Sequence, residues 1–312
     1  MRAFALDELG QPGSIHDLPD PKPAEGEVRV RVAAAALNPF DGFVVQGYLK
    51  GRMEHRFPLI PASDLAGTVD ELGAGVKGFA VGDHVFGITG RMSPLGEGTL
   101  AELATATTAT LAKRPAALSE VDAAALPLAG VSALMCVEAA APGAKDVVVV
   151  IGASGAIGGY SVQLAAMRGA HVVGVTSTGH IEYVKGLGAA DVIDRTAGNV
   201  AAELKSKYPG GVASIIDTVN EAPALAPLTE AVRKGGTVVS MRGGAAVDDL
   251  AKRDIKGVNV RTEVTTARLD HLAGLAASGK LKAPRVITFA LDKAADALKV
   301  LGLNGEKLVV KI

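Results

Sequence analysis

Hydrophobic and polar positions change their period along the chain. From residue 1 to about 120 the periods are short. Met1 to Leu6 reads as a strand, and Val28-Arg-Val-Arg-Val32 alternates valine on one face with arginine on the other, as a half-buried strand does. Leu65 to Leu72 and His84 to Ile88 predict further strands. Gly73, Gly75, Gly78 and Gly82 mark the turns between them, and Pro19, Pro21 and Pro23 form a stiff connector before Val28. Short strands at close spacing predict a small barrel or folded sheet. Leu37-Asn38-Pro39-Phe40-Asp41 interrupts the alternation and predicts a short helix.

From Ser119 the period lengthens. Ser119 with Asp122 opens an alanine-rich run to Leu126, a capping box with Asp in place of Glu. A second helix is predicted over Val131 to Ala140, ended by Pro142-Gly143. Strands and helices then alternate: Val147 to Ile151, helix Ser161 to Arg168, Val172 to Thr176, helix Ile181 to Leu187, Asp191 to Asp194, helix Val200 to Lys207, Ser214 to Asp217, helix Leu225 to Arg233, Thr237 to Met241. That alternation predicts an α/β unit, a doubly wound parallel sheet with helices on both faces. The end reads as helix Arg268 to Ser278, strand Val286 to Ala290, helix Lys293 to Leu301 and strand Lys307 to Ile312.

Between the strand Val147 to Ile151 and its helix lies Gly152-Ala-Ser-Gly-Ala-Ile-Gly158. The first N–H groups of a helix have no partner within it, and the helix dipole makes that end partly positive. A pyrophosphate satisfies both, provided that the turn carries little Cβ bulk. Ala153, Gly155 and Gly158 meet that condition, so the strand, turn, helix and strand read as a dinucleotide-binding unit.

The composition narrows the class. The chain has 312 residues, enough for two domains, and is 48% hydrophobic but only 4% aromatic, with no Trp. Val, Leu and Ala must therefore fill the cores. A net charge of −1 without a basic run argues against a nucleic-acid partner. No apolar run reaches the length of a membrane span, and the N-terminus reads as a strand rather than a leader. The single cysteine, Cys136, excludes an internal disulfide and suits a reducing cytoplasm.

The ordered series of motifs resembles the zinc-free medium-chain dehydrogenases/reductases of the quinone oxidoreductase type, related to zeta-crystallin. It comprises Asn38-Pro39-Phe40-Asp41 with Gly47-Tyr48, Ile60 to Gly67, Val81-Gly82-Asp83-His84-Val85, Ala124 to Ala133, Gly152 to Gly158, Leu187-Gly188-Ala189, Asp217-Thr218-Val219 and Gly235-Gly236. The resemblance implies a β-rich, GroES-like catalytic domain from residues 1–121 and 286–312, a Rossmann domain over 122–285, and a nicotinamide in the cleft between them. It also implies a homodimer, for which Gly257 to Thr265 is the candidate edge. Four positions depart from the family pattern. Ala62 stands where glycine is usual, Ala156 replaces the commoner second glycine of the phosphate turn, Asn220-Glu221 replaces a glycine, and Arg195 replaces an aromatic residue.

Candidate site residues follow. Ser154, Gly155, Ala156, Ile157 and Gly158 form the phosphate turn. An acid about 20 residues past the turn would bind a ribose 2′-OH and repel a 2′-phosphate. The chain instead reads Thr176-Ser177-Thr178-Gly179-His180, with no acid until Glu182. Ser177, Thr178 and Arg195 therefore point to NADPH, against the alternative of a solvated polar loop. Tyr48 is the catalytic candidate: by resemblance it lies at the nicotinamide, where its phenol stacks, hydrogen-bonds or supplies a proton. The alternative is a packing tyrosine. Asn38 orients the carboxamide or the acceptor carbonyl, or else caps a helix. Arg242 follows a strand whose carboxyl end faces the same crevice; the alternative is a surface arginine. Six dispersed histidines and one cysteine give no zinc ligand set.

The expected function is NADPH-dependent reduction of quinones or α,β-unsaturated carbonyls, with hydride passing from nicotinamide C4 to the electrophilic carbon of a small molecule. Two alternatives stay open. One is an NADPH-binding structural or sensing protein without turnover. The other is a serine hydrolase, because Gly152 to Ala156 nearly spells a nucleophile elbow and His271 follows; the elbow requires glycine where Ala156 stands.

Overall fold

The computed structural model describes residues 1–90, 93–303 and 305–312. The first part of the chain forms β1 (Arg2–Ala5), β2 (Ser14–Asp17), β3 (Glu27–Leu37), α1 (Pro39–Val45), β4 (Asp64–Leu72), β5 (His84–Ile88), β6 (Leu103–Thr107) and β7 (Leu111–Lys113). Helices α2 (Glu120–Ala125) and α3 (Pro127–Ala140) follow. The middle alternates through β8 (Val147–Ile151), α4 (Ala156–Met167), β9 (His171–Thr176), α5 (Ile181–Gly186), β10 (Asp191–Asp194), α6 (Val200–Lys207), β11 (Val212–Asp217), α7 (Ala222–Leu225), β12 (Val232–Ser240), α8 (Val247–Ala251) and β13 (Lys256–Asn259). The end is α9 (Thr266–Ala277), β14 (Val286–Ala290), α10 (Ala294–Lys299) and β15 (Lys307–Lys311).

These elements form two compact units, one from residues 1–131 with 264–312 and one from 132–263. In the first, β14, β15, β3, β4, β5 and β7 form a sheet in that order, and β6 also pairs with β3. Val28, Val30 and Val32 point inward from β3 while Arg31 is exposed, as the alternation requires. Their core includes Phe4, Leu65, Leu100, Leu308 and Val310. The last strand lies beside β3, Leu308 opposite Leu37, so the end of the chain completes the sheet begun near its start.

In the second unit the strands run β10-β9-β8-β11-β12-β13, all parallel. Val149, Ile151, Val173, Val175, Ile193, Ile215 and Val238 are buried in its core. Each such side chain contributes about 1.5–3 kcal/mol on burial, which is why these strands are nearly continuous β-branched runs. The chain steps from β8 to β9 and β10 on one side and to β11, β12 and β13 on the other. The strand order therefore reverses at β8 and β11, and the crevice outside their carboxyl ends is the expected ligand position of an open parallel sheet.

Several elements differ from the sequence expectation. Helix α4 begins at Ala156, five residues before Ser161, because Gly158 and Gly159 are accepted inside a buried first turn despite their poor propensity. The helix expected over Leu225 to Arg233 is α7 followed by a 3-10 segment, Ala226–Ala231, and Val232 already belongs to β12. Pro223 and Pro227 lack the N–H that a longer α-helix needs. Of the β-rich stretch Gly257 to Thr265, only 257–259 is strand.

The two units also part at different residues from 121 and 286. Helix α2 packs on β3 and β4, and Thr266 at the start of α9 donates its hydroxyl to the Leu111 carbonyl at 2.8 Å. Both helices therefore belong to the β-rich unit, an assignment made by tertiary contacts rather than by texture.

Candidate functional site

In the parallel-sheet unit, β8 ends in Gly152, which takes φ +78° and brings the chain round into α4. Gly155 stands at the N-cap with extended backbone, so the N–H groups of Ala156, Ile157 and Gly158 begin the helix without intrahelical acceptors. A Cβ on Gly158 would lie 2.1 Å from the Gly152 carbonyl oxygen, and one on Gly152 would lie 2.5 Å from Thr218 Oγ1. Thr218 donates that hydroxyl to the Ile151 carbonyl at 2.9 Å. The loops after β8 and β11 thus meet at the switch point, and both glycines are required there. Gly155 is under no such constraint: its added Cβ would be 3.4 Å from the nearest atom.

Beside this turn, β9 ends at Thr176 and Ser177 follows, half-buried, with its hydroxyl 3.1 Å from His180 Nδ1. Glu182 lies in the first turn of α5 and pairs with Lys185 at 2.8 Å. A different acid reaches the β9 end. Asp194 closes β10 in register with Thr176, and its Oδ2 accepts the Thr178 hydroxyl at 2.5 Å. Its Oδ1 accepts the Thr196 N–H at 2.8 Å and the Thr196 hydroxyl at 2.6 Å. The bonds from Thr178 and Thr196 hold this carboxyl below its ordinary value. Sequence reasoning missed Asp194 because it searched along the chain for an acid that arrives from the neighbouring strand. Arg195 is exposed next to it, its own N–H bonded to the Thr176 carbonyl.

At the far side of the switch point, Asp217 is buried at the end of β11. It accepts the N–H groups of Val219 and Asn220 at 2.8 and 2.7 Å and the Asn220 amide at 2.6 Å. Burial raises its carboxyl, and these bonds oppose the shift. This explains the departure at Asn220: the side chain closes the turn that a glycine would otherwise relax. Arg242 follows β12 and donates to Glu221 at 2.8 Å, so Asn220, Glu221 and Arg242 form one polar rim. The structure therefore brings Ser154 to Gly158, Ser177, Thr178, Arg195 and Arg242 to the carboxyl ends of adjacent strands.

Asn38 and Tyr48 belong to the β-rich unit, at opposite ends of α1. Asn38 is its N-cap residue and is buried. Its N–H donates to Asp41 Oδ2 at 2.7 Å and its amide to Asp64 Oδ2 at 3.0 Å, while its Oδ1 accepts from Lys307 Nζ at 2.6 Å. Lys307 also reaches Asp64 Oδ2 at 3.2 Å, and Asp64 Oδ1 accepts the Leu128 N–H. Asn38 thus stands at the N-cap of α1 with its side-chain amide engaged by Asp64 and Lys307. Lys307 and Asp64 had no signal in the sequence, because residues so far apart meet only through the pairing of β15 with β3 and of β3 with β4. Ala62, two residues before Asp64, has φ +72°, the left-handed backbone for which glycine is the usual choice. Tyr48 is 65% exposed and stands edge-on to Phe43, ring centroids 5.8 Å apart.

Among the described residues, no three His, Cys, Asp or Glu side chains are grouped so that they could hold a metal ion. Cys136 is buried in α3, and burial pushes its thiol up to about 12. Ser154 has no hydrogen bond to a histidine among the described residues, and His271 lies on α9 in the β-rich unit. No helix among them is long and apolar enough to cross a membrane.

A doubly wound parallel sheet with a glycine turn at its switch point, together with a mostly antiparallel unit built from both ends of the chain, defines a Rossmann plus GroES-like protein. Two families match: Alcohol dehydrogenase GroES-like domain over residues 24–116 and Zinc-binding dehydrogenase over 156–265. The Arabidopsis thaliana chloroplast envelope quinone oxidoreductase homolog is 34% identical over 92% of this chain and 90% of its own. A chloroplastic quinone-oxidoreductase of Triphysaria versicolor is 31% identical over 95% and 93%. The structure of the quinone oxidoreductase from Coxiella burnetii superposes with a TM-score of 0.90 at 26% identity, covering 100% of this chain and 99% of that one. The chain belongs to the quinone oxidoreductase family of medium-chain dehydrogenases/reductases.

Proposed function

We propose that this protein is an NADPH-dependent reductase of quinones or α,β-unsaturated carbonyls that works without zinc. The observation that carries the cofactor reading is the turn itself: α4 opens at the switch point from a Gly155 N-cap, and Gly158 lies against Gly152 where no Cβ fits. Ser154 to Gly158 would hold the pyrophosphate, and Ser177, Thr178 and Arg195 the adenosine ribose and its 2′-phosphate. Arg242, paired with Glu221, would line the far side. Similar proteins support the chemistry by name, among them a 2-methylene-furan-3-one reductase of Solanum lycopersicum, 33% identical over 72% of this chain and 57% of its own. The bound dinucleotide supplies the hydride. A conjugated acceptor delocalises the arriving charge without a Lewis acid, and the donor set described above does not suit a zinc ion. The protein contributes position.

Titrating NADPH fluorescence, then following NADPH oxidation with a naphthoquinone and with an enone, tests this. Oxidation by either acceptor, undiminished by a chelator, is expected. Tight binding without turnover on both acceptors points to a binding protein, and ester cleavage without NADPH binding points to a hydrolase; either overturns the proposal. Tyr48, exposed and braced by Phe43, is the acceptor contact in this reading. Tyr48→Ala should raise the acceptor KM by about 3- to 10-fold, the worth of an aromatic contact, while Tyr48→Phe should leave kcat within about threefold if solvent supplies the proton. An unchanged KM in Tyr48→Ala removes Tyr48 from the site.

The reading also includes a homodimer joined along β13, whose residues Lys256 and Asn259 are exposed at one edge of the parallel sheet. Sedimentation velocity should give a dimer at micromolar concentration; a monomer there sinks this part.

A further inference from the structure

We propose that Asp194 and Arg195 together set the choice between NADPH and NADH, Asp194 opposing the 2′-phosphate and Arg195 favouring it. The inference rests on the cofactor reading above. In sheets of this kind the group at the end of the second strand faces the adenosine 2′ position, and an acid there selects the free hydroxyl. Here the second strand is β9, and Thr178 occupies that place. Its hydroxyl is already donated to Asp194 at 2.5 Å, so a 2′-phosphate bound there would meet a carboxylate directly behind Thr178.

Asp194 is not free to swing aside. Its Oδ1 is held by the N–H and hydroxyl of Thr196, and Thr196 Oγ1 lies 2.9 Å from Thr178 Oγ1. Asp194 accepts both threonine hydroxyls on adjacent strand ends. These bonds keep the carboxylate charged and fixed, whereas Arg195 beside it is exposed on a long stem. A phosphate carrying about −1.5 to −2 charge meets a fixed negative group and an adjustable positive one. Preference for NADPH is therefore the difference of two opposed effects, and smaller than Arg195 alone would give.

The test measures the dissociation constants of NADPH and NADH by fluorescence for the wild type, Asp194→Asn and Arg195→Ala, at low and high salt. Asp194→Asn keeps an acceptor for Thr196 and should shift the ratio toward NADPH by about three- to tenfold, the effect of one unit charge at this range near a surface. Arg195→Ala should shift it the other way by a similar factor. Both shifts should shrink in high salt. If Asp194→Asn weakens both dinucleotides equally, Asp194 only braces a loop, and the proposal fails while the cofactor reading stands. If Asp194→Asn does not fold, an unchanged ratio in Arg195→Ala is enough to overturn it. A wild type that binds neither dinucleotide overturns both readings.

Discussion

Gly158→Val is expected to lose NADPH binding and to melt well below the wild type. Any Cβ at residue 158 would lie 2.1 Å from the Gly152 carbonyl oxygen, 2.7 Å from its carbon and 2.9 Å from Ala153 Cα. These are backbone atoms of a turn that is itself fixed. Gly152 has φ +78° and is hemmed in by Thr218 and Val219, so neither side can yield by rotating a side chain. Helix α4 must move off the sheet by more than an ångström. Overpacking of this kind costs about 1–3 kcal/mol where neighbours give way, and the upper end applies here. In a chain of this size that corresponds to a melting point lowered by roughly 5–10 °C. Gly155→Ala is the internal contrast. Its Cβ would meet the same carbonyl at 3.4 Å, so the fold should persist with a melting shift of no more than about 3 °C. Thermal melts of both variants with NADPH titrations check this. Equal melting shifts would show that the close approach at Gly158 is not what holds the turn.

Lys307→Met should destabilise the protein by about 3–5 kcal/mol at neutral pH, the usual result of removing one partner from a buried ion pair. Lys307 is 3% exposed and Asp64 is fully buried. Without the ammonium, Asp64 keeps the Asn38 amide and the Leu128 N–H, and Asn38 Oδ1 loses the Lys307 donor. Burial already raises the Asp64 carboxyl, and Lys307 is the main influence opposing it. The deficit should therefore be smaller at pH 5, where protonation relieves the orphaned carboxylate. Lys307→Met with Asp64→Asn should recover much of the loss, and a double-mutant cycle on melting points measures it. A strictly additive pair would rule out the coupling.

The same cluster carries a pH signature. Burial, opposed by the Asn38 N–H, raises Asp41 from 3.8 to about 7. The folded state thus keeps a proton that the unfolded chain releases near its ordinary value. Between those limits the folded state binds more protons, so this contribution is fully present below about pH 4 and lost as pH rises through 7. Its full size is on the order of 4 kcal/mol. Asp41→Asn should flatten the fall in melting point between pH 5 and 8; an unchanged slope would place the titrating group elsewhere.

Much of the fold was legible in the chain because period and burial are linked. A strand buried on both faces must be apolar throughout, so β8 coincides with its sequence limits. Half-buried β3 shows its alternation through Arg29 and Arg31. Local chemistry was legible for the same reason: Ser119 accepts the Asp122 N–H at 3.1 Å, as its spacing implies. Helix ends next to glycine were misplaced. Propensity disfavours Gly158 and Gly159; packing against Gly152 explains the first, and the approach of Leu187 the second.

The sequence by itself determined the α/β alternation, the β-rich ends and the glycine turn, because each depends on residues within a few positions of one another. The tertiary structure alone decided which charges meet. Asp194 reaches Thr178 through the register of β10 on β9, and Lys307 reaches Asp64 and Asn38 through the return of the last strand to β3. A charge acts over a few ångströms of space, and sequence separation does not measure that distance.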